Sequence, residues 1–188
     1  MKTPPKYSYR GVIILFFLGA FAGLFPAVGE EKPWYAARLQ SLGFQVFDPA
    51  FEFKDFTVLT LEGGMKKRSS LQGKLALLNF WATWCPPCKE EMPSIEALGK
   101  AMKGLPFEIF AVDLGDSPAE VKAFVKERNI GFPVYLDPKK SLAATYASRG
   151  IPTTYLIGKD GKFIAGIVGA YDYSNPALVS LLKEMAAR

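Results

Sequence analysis

The two cysteines of the chain lie three positions apart in the run Trp84-Cys85-Pro86-Pro87-Cys88, and the sequence contains no other cysteine. Residues 75–81 before this run are apolar except for Asn79, as in a buried strand, whereas apolar residues after Cys88 recur at intervals of three, as on one helix face. Proline is tolerated at the first positions of a helix, because the N–H groups there have no intrahelical partner. The pattern predicts a strand, a tight turn and a helix that begins at the cysteine pair.

A cysteine pair in this position can form and break a disulfide reversibly. The thiolate is the species that attacks a disulfide, and a helix N-terminus stabilises it through free N–H groups and the helix dipole. We expect Cys85 to be the exposed attacking residue and Cys88, one turn further on, to be the resolving thiol. The Cys85–Cys88 pair would accept electrons as a disulfide and donate them as a dithiol, so we expect no other cofactor.

Three other interpretations of the cysteine pair are weaker. A zinc site needs about four ligands, and a chain with two cysteines and no histidine could supply them only as a dimer, so we expect no metal. A static disulfide across so short a loop would remove little entropy from the unfolded chain. Two unrelated structural cysteines would have no reason to lie together at this turn.

Residues 11–29 form an uncharged apolar segment. At about 1.5 Å per residue, a helix of this length reaches about the 30 Å of a bilayer core. Lys2, Lys6 and Arg10 precede the segment and acidic residues follow it, which predicts a cytoplasmic basic segment (1–10) and an exported remainder. We therefore expect a membrane anchor at 11–29 in the inner membrane, with the domain facing the periplasm or the cell exterior.

A cleaved signal peptide is the alternative, because Ala27-Val28-Gly29 resembles a cleavage site and would release a soluble periplasmic protein. The apolar run is longer than such segments usually are, which favours the anchor. Either route places the cysteines where thiols are not kept reduced. The pair would then need a membrane or exported electron donor.

The charge balance excludes a nucleic-acid partner. The three N-terminal basic residues belong to the cytoplasmic segment, so the exported part carries 20 basic against 18 acidic residues. Lys66-Lys67-Arg68 is a local basic run beside Gly63-Gly64, and we interpret it as a solvated hairpin tip.

The remaining pattern predicts a linker over residues 30–50, with a short helix near Ala36, and one domain over residues 51–188. Residues 51–61 predict a strand that Gly63-Gly64 turns back toward 75–81. Further strands and helices are predicted at the ranges that follow: strands 107–112, 134–136, 152–157 and 163–168; helices 117–128, 142–147 and 175–186. Strands that alternate with helices and end in a hairpin and a helix indicate one mixed α/β sheet flanked by helices.

Two motifs carry a family resemblance, namely residues 78–93 (LNFWATWCPPCKEEMP) and residues 150–156 (GIPTTYL). Together they resemble the exported thioredoxins of the TlpA/ResA type, over about residues 51–188. The resemblance implies a thioredoxin-like fold, with the extra helix and strand of this type within residues 117–146. It also implies a thiol-disulfide oxidoreductase that acts on protein disulfides, including those of apocytochrome c before haem attachment.

The resemblance also implies roles for single residues. Pro152 would follow a cis peptide bond and face the disulfide, and a substrate strand would pair with the backbone at Ile151. Trp84, Ile151, Pro152 and Gly169 would form an apolar rim around the reactive sulfur.

Glu91 lies three residues after Cys88 on the same helix face, where a partly desolvated carboxylate could exchange a proton with the resolving thiol. A solvated acid that favours the helix dipole is the alternative interpretation. Asn79 departs from ordinary thioredoxins, which have a buried aspartate there. An amide cannot titrate, so the proton-accepting role would pass to Glu91 or to water.

The two prolines predict the direction of electron flow. They offer neither a charge nor an N–H group to the Cys85 sulfur, so its thiolate is poorly stabilised and the dithiol should be a good electron donor. A disulfide-introducing oxidase is the second hypothesis, and a non-catalytic module that binds client chains is the third. Peroxidase chemistry ranks below these. It would need a lone cysteine two residues after a threonine, and neither cysteine of this chain stands alone.

Overall fold

The computed structural model describes residues 32–52 and 54–188. The strands are β1 (Gln45–Phe51), β2 (Thr57–Thr60), β3 (Met65–Lys67), β4 (Leu75–Trp81), β5 (Phe107–Asp113), β6 (Val134–Leu136), β7 (Thr153–Ile157) and β8 (Phe163–Val168). The α-helices are α1 (Ala36–Ser41), α2 (Pro86–Ala101), α3 (Pro118–Glu127), α4 (Ala143–Tyr146) and α5 (Pro176–Ala187).

The strands form a mixed sheet in the order β1-β8-β7-β4-β5-β6-β2-β3. β5 runs parallel to its neighbours β4 and β6, whereas β7 and β8 return antiparallel on the other side of β4. This is the predicted mixed α/β sheet. α3 and β6 occupy the segment in which the resemblance implied an additional helix and strand.

The sheet separates two hydrophobic clusters. Every residue of β4 is buried, and its side chains alternate between the two faces. Leu77 and Trp81 face the cluster that contains the buried residues of α2 and α5, whereas Leu78 and Phe80 face the cluster around Tyr146. The period-two alternation therefore determines which polar residues of the sheet can reach α2.

The predicted linker over residues 30–50 is wrong for its larger part. Leu39 of α1 and Phe44 are 0% and 3% exposed, and β1 pairs antiparallel with β8 at one edge of the sheet. The short helix near Ala36 is confirmed. The sequence of β1 has no clear strand period, because the strand lies at the sheet edge with residues that are only exposed or half-buried. It forms by pairing with β8, more than a hundred residues further along the chain.

The first predicted hairpin needs two corrections. The strand before Gly63-Gly64 is only β2, and it turns into β3 rather than toward β4; its other neighbour is β6. The run Lys66-Lys67-Arg68 is not the hairpin tip, since it includes the end of β3 and the start of a 3₁₀ turn. The Arg68 side chain is mostly buried, donates to the carbonyl of Gly161 at 2.9 Å and lies over the Phe163 ring.

The predicted basic segment and anchor, residues 1–10 and 11–29, lie outside the described residues. Among residues 32–52 and 54–188, no helix has the length and apolar character needed to cross a membrane.

Candidate active site

The cysteine pair forms a disulfide at the start of α2. Cys85 is the N-cap of the helix, with φ −91° and ψ 105°, and Cys88 lies in its first turn. Cys85 is 3% exposed and Cys88 is fully buried. The expectation of an exposed Cys85 is therefore wrong for the disulfide form, because its sulfur packs 3.8 Å from the carbonyl oxygen of Ile151. Cys85 is still the less buried of the two.

The two prolines limit the hydrogen bonds that the Cys85 sulfur can accept. The side chain of an N-cap residue accepts from the N–H groups of the second or third helical residue. The second position is Pro87, which has no N–H, and the third is Cys88, whose N–H lies 3.3 Å from Cys85 Sγ. Among the described residues, Cys88 is the one whose N–H donates to this sulfur.

The four residues of the predicted rim differ in exposure. Trp84 is 58% exposed, whereas Ile151 is half-buried and Pro152 is buried. The Ile151–Pro152 peptide bond is cis, as the resemblance implied. Gly169 has φ +98°, a conformation that favours glycine, and its N–H donates to the Pro152 carbonyl at 2.8 Å. The structure thus brings Ile151 to the sulfur and Gly169 to the cis-proline.

Glu91 is held by a buried hydrogen-bond network, which we call the Glu91 network. Asn79 Nδ2 donates to Glu91 Oε1 at 2.8 Å and to Thr154 Oγ1 at 2.9 Å. The Tyr173 hydroxyl donates to the same Thr154 oxygen at 2.7 Å, and the Tyr171 N–H donates to Glu91 Oε2 at 3.2 Å. A solvated acid is excluded, because Glu91 is only 3% exposed.

Burial raises the pKa of Glu91 from 4.5 to about 7. Removing water disfavours the charged form, whereas the hydrogen bonds from Asn79 and from the Tyr171 N–H favour it and oppose part of this shift. A carboxyl group with a pKa near 7 exchanges a proton readily at neutral pH. Glu91 is three residues from Cys88 on the same side of α2, so the site has a candidate proton acceptor near Cys88.

Sequence reasoning identified Asn79 and Glu91 but missed Thr154 and Tyr173. Asn79 and Thr154 are direct partners in the β4–β7 pairing and share the face toward α2. The alternation within each strand could have placed both on one face, but the strand register was not available. Tyr173 lies in an irregular segment, and no periodic pattern marks it.

A second group of residues supports the loop before Cys85. The buried Asp116 carboxylate accepts the Thr83 N–H at 2.7 Å, and Asp113 Oδ1 accepts the Asp116 N–H at 2.9 Å. Burial and, to a smaller extent, the hydrogen bond with the Asp116 carboxyl together raise the pKa of Asp113 to about 8. This pair anchors the chain at Thr83, two residues before Cys85, and sequence reasoning missed it.

Lys140 contacts the same loop from the segment between β6 and α4. Its Nζ lies 5.6 Å from the centre of the Trp84 ring, close enough for a cation–π interaction. The lysine stem crosses Gly115, where a Cβ atom would lie 2.0 Å from Lys140 Cε. Gly115 also has φ +101°, so both space and backbone conformation require glycine there.

The sequence is similar to one protein family and to curated thiol-disulfide oxidoreductases. The AhpC/TSA family profile matches residues 49–165. The thiol-disulfide oxidoreductase ResA of Bacillus cereus is 41% identical over 118 residues, which cover 63% of this chain and 68% of that protein. ResA of Geobacillus thermodenitrificans is 33% identical over 179 residues, which cover 90% of this chain and 91% of the relative.

The similarity to solved structures agrees with the similarity to these sequences. The crystal structure of a thiol:disulfide interchange protein of the thioredoxin family from Chlorobium tepidum has a TM-score of 0.62 and 26% identity, covering 74% of this chain and 97% of the other. The thioredoxin-like fold expected from residues 78–93 and 150–156 is confirmed.

Proposed function

Since the chain belongs to the AhpC/TSA family and is a thioredoxin-like thiol-disulfide oxidoreductase, we propose that it is a dithiol donor that reduces disulfides in exported proteins. The observation that supports this direction of electron transfer is the small number of hydrogen-bond donors available to the Cys85 sulfur. Pro86 and Pro87 supply no N–H, so a Cys85 thiolate would have the Cys88 N–H as its donor at the helix start. A weakly stabilised thiolate makes the disulfide harder to reduce, and the dithiol correspondingly a better reductant.

The reaction transfers two electrons in two steps. The Cys85 thiolate attacks one sulfur of the substrate disulfide, forms a mixed disulfide and releases the other substrate sulfur as a thiolate. Cys88 then gives its proton to the Glu91 carboxylate, and the Cys88 thiolate attacks Cys85 Sγ. The second substrate thiolate leaves, and the Cys85–Cys88 disulfide closes. The two substrate thiolates take up two protons, one from the protonated Glu91 and one from water, which received the proton of Cys85. The substrate is reduced to a dithiol, and we expect no cofactor beyond the cysteine pair.

The substrate would bind over the rim of the site. The exposed Trp84 ring offers apolar contact next to Cys85, and the backbone at Ile151 lies against the sulfur. An extended substrate segment that pairs with Ile151, on the cis-Pro152 side, would bring its disulfide to Cys85. Gly169 stabilises this side of the rim, because its N–H donates a hydrogen bond to the Pro152 carbonyl.

A redox titration of the Cys85–Cys88 pair against glutathione or dithiothreitol tests the direction. We expect a potential below about −200 mV, as in proteins that donate electrons. A value near about −120 mV, as in strong oxidants of this fold, would overturn the donor assignment in favour of the oxidase. The Cys85→Ala variant, which cannot form the disulfide, provides the blank.

The clients that we propose are exported proteins with accessible disulfides, among them apocytochrome c before haem attachment. Cys88→Ala should trap them, because the mixed disulfide at Cys85 can no longer be resolved. Mass spectrometry of the trapped complexes would identify the partners, and the Cys85→Ala variant is the matched control. If Cys88→Ala accumulates no mixed disulfide, this order of attack is wrong.

We also propose that residues 11–29 anchor the protein in the membrane, with the cysteine pair on the far side from the cytoplasm. The apolar segment and the basic residues before it support this topology. The electron donor that reduces Cys85–Cys88 would then be a membrane or exported protein. Intact-mass measurement of protein from the membrane fraction tests the anchor: loss of residues 1–29 would show cleavage instead.

A further inference from the structure

Tyr173 is a buried residue near the active site that takes no part in the proposed mechanism. It lies between β8 and α5, is fully buried, and carries a hydroxyl group that needs a partner away from water. That partner is Thr154 Oγ1 at 2.7 Å. The same oxygen accepts from Asn79, whose other Nδ2 hydrogen points to Glu91.

The donor and the acceptor in each hydrogen bond between Tyr173, Thr154, Asn79 and Glu91 can be assigned from the chemistry of the side chains. The Nδ2 group of Asn79 only donates, so Thr154 must accept from it. The Tyr173 hydroxyl fills the other lone pair of Thr154 and thereby holds the threonine side chain in one rotamer. A fixed Thr154 oxygen fixes the plane of the Asn79 amide, and that plane determines how well Asn79 reaches Glu91.

The backbone of Tyr173 is tied to the helix that carries Glu91. Its N–H donates to Ser94 Oγ at 3.0 Å, and Ser94 Oγ donates to the Glu91 carbonyl at 2.7 Å. Two residues earlier, the Tyr171 N–H donates to the Glu91 carboxylate. Tyr173 therefore connects α2, through its backbone, with β7, through its hydroxyl, and the Glu91 carboxylate lies within this frame.

We propose that Tyr173 is a positioning residue for the reaction: through Thr154 and Asn79, its hydroxyl holds the Glu91 carboxylate in the orientation that exchanges a proton with Cys88. The inference rests on the proposed role of Glu91 as the proton acceptor of the resolving thiol. The Tyr173 hydroxyl is bonded to Thr154, so its effect on Glu91 passes through the Glu91 network.

The conservative test is Tyr173→Phe in the oxidised full-length protein, where the cysteines do not titrate. The Glu91 carboxyl is followed by ¹³C NMR with labelled glutamate, and its signal is assigned by its loss in Glu91→Gln. A weaker bond from Asn79 to the charged form should raise the pKa of Glu91 by about half a unit. Thr154→Val should shift it in the same direction, and Thr154→Ser, which keeps the hydroxyl, should restore it.

Tyr146→Phe is the matched control. It removes a buried tyrosine hydroxyl that donates to the Lys54 carbonyl at 2.9 Å, on the opposite face of the sheet. It should destabilise the fold about as much as Tyr173→Phe but leave the Glu91 titration unchanged. An equal Glu91 shift in both variants would mean a general loosening of the core and would overturn the proposal.

A second readout separates this inference from the proposed function. The rate of insulin disulfide reduction by the prereduced protein is measured against pH in single turnover, and Tyr173→Phe should move its neutral inflection upward with the Glu91 pKa. If Glu91→Gln removes that inflection but Tyr173→Phe does not move it, the inference fails and the role of Glu91 stands. If Glu91→Gln leaves the profile unchanged, the role of Glu91 fails, and the role of Tyr173 fails with it.

Discussion

A carboxyl group that is buried behind a redox-active cysteine pair differs from one in water in two respects. Glu91 has lost its hydration, and it is held by two donors of fixed position, the Asn79 side chain and the Tyr171 N–H. Burial has the larger effect, so the pKa of Glu91 rises to about 7 despite the two hydrogen bonds. At neutral pH a large fraction of Glu91 is protonated, which would suit its proposed role as a group that accepts and returns a proton.

The raised pKa of Glu91 predicts a pH-dependent stability. The unfolded chain loses this proton near pH 4.5, whereas the folded protein keeps it until about pH 7. The stability that the protonated Glu91 contributes to the fold is therefore fully present below pH 4.5 and is lost as the pH rises to 7. This loss lowers the free energy of unfolding by an amount on the order of 3 kcal/mol. Glu91→Gln should remove this part of the decline in the free energy of unfolding, measured by urea titration of the oxidised protein between pH 4.5 and 8.

Glu90→Gln, which removes an exposed carboxyl group from the same helix, is the control for that experiment. It should leave the slope as in the parent protein. An unchanged slope in Glu91→Gln would contradict the raised pKa.

We expect the Asp116 carboxylate to stabilise the loop before Cys85 through its hydrogen bond with the Thr83 N–H. Asp116→Ala leaves the Thr83 N–H without its acceptor, which should cost about 1–2 kcal/mol of stability and speed hydrogen exchange at the Thr83 amide. Asp116→Asn keeps an acceptor oxygen and should retain most of the amide protection, as measured by NMR exchange. Equal protection in Asp116→Ala and the parent would show that Asp116 does not anchor this loop.

At the scale of elements, the first turn of α2 determines the reactivity of the cysteines. The helix begins with an N-cap cysteine, two prolines and a second cysteine, so its first two residues contribute no N–H groups. Helix N-termini ordinarily supply several such donors to an anion. Here the turn brings the two sulfurs together with fewer N–H donors, so we expect the Cys85 thiolate to be less stabilised.

Pro87→Ala therefore should raise the reduction potential of the Cys85–Cys88 pair. The alanine restores an N–H at the second helical position, from which a donor can reach the N-cap sulfur. One added weak hydrogen bond to the thiolate corresponds to on the order of 10–20 mV, measurable by equilibration with glutathione. Pro86→Ala is the matched control, since the N–H at the first position does not point at the N-cap side chain, and it should change the potential less. A reversed order of the two variants would contradict this account.

At the scale of the whole molecule, the domain begins earlier than its motifs indicate. α1 and β1 precede the region of family resemblance, yet Leu39 and Phe44 pack into the cluster on the α2 side of the sheet. Arg38 of α1 pairs with Glu184 of α5 at 2.6 Å, which connects the two ends of the domain. β1 also covers the edge of β8, which would otherwise expose unpaired backbone groups.

Phe44→Ala tests this boundary. A buried phenylalanine truncated to alanine costs about 3–5 kcal/mol, whereas the same change in a linker would cost almost nothing. The free energy of unfolding in urea measures the difference. Met65→Ala, at a residue that is 77% exposed, is the control and should have little effect. A loss below about 1 kcal/mol in Phe44→Ala would return residues 30–50 to the linker.

Local sequence signals predicted most of the elements correctly. The Ser117-Pro118-Ala119-Glu120 run forms the expected capping box of α3, and Asn175 caps α5 through its side-chain oxygen. These signals succeed because an N-cap is made by residues within one helical turn. β1 and β3 failed the same kind of reasoning, since a strand's neighbours lie elsewhere in the chain.

Local signals were enough to predict the strand, the proline-containing turn and the helix with its two cysteines, because spacing, apolar period and capping act over a few residues. The meeting of Asn79, Thr154 and Tyr173 around Glu91 depends on long-range contacts of the folded chain. Asn79 and Thr154 are 75 residues apart and become neighbours through the register of β4 and β7. The raised pKa of Glu91 likewise comes from burial by the whole fold, since desolvation depends on everything that excludes water from a group.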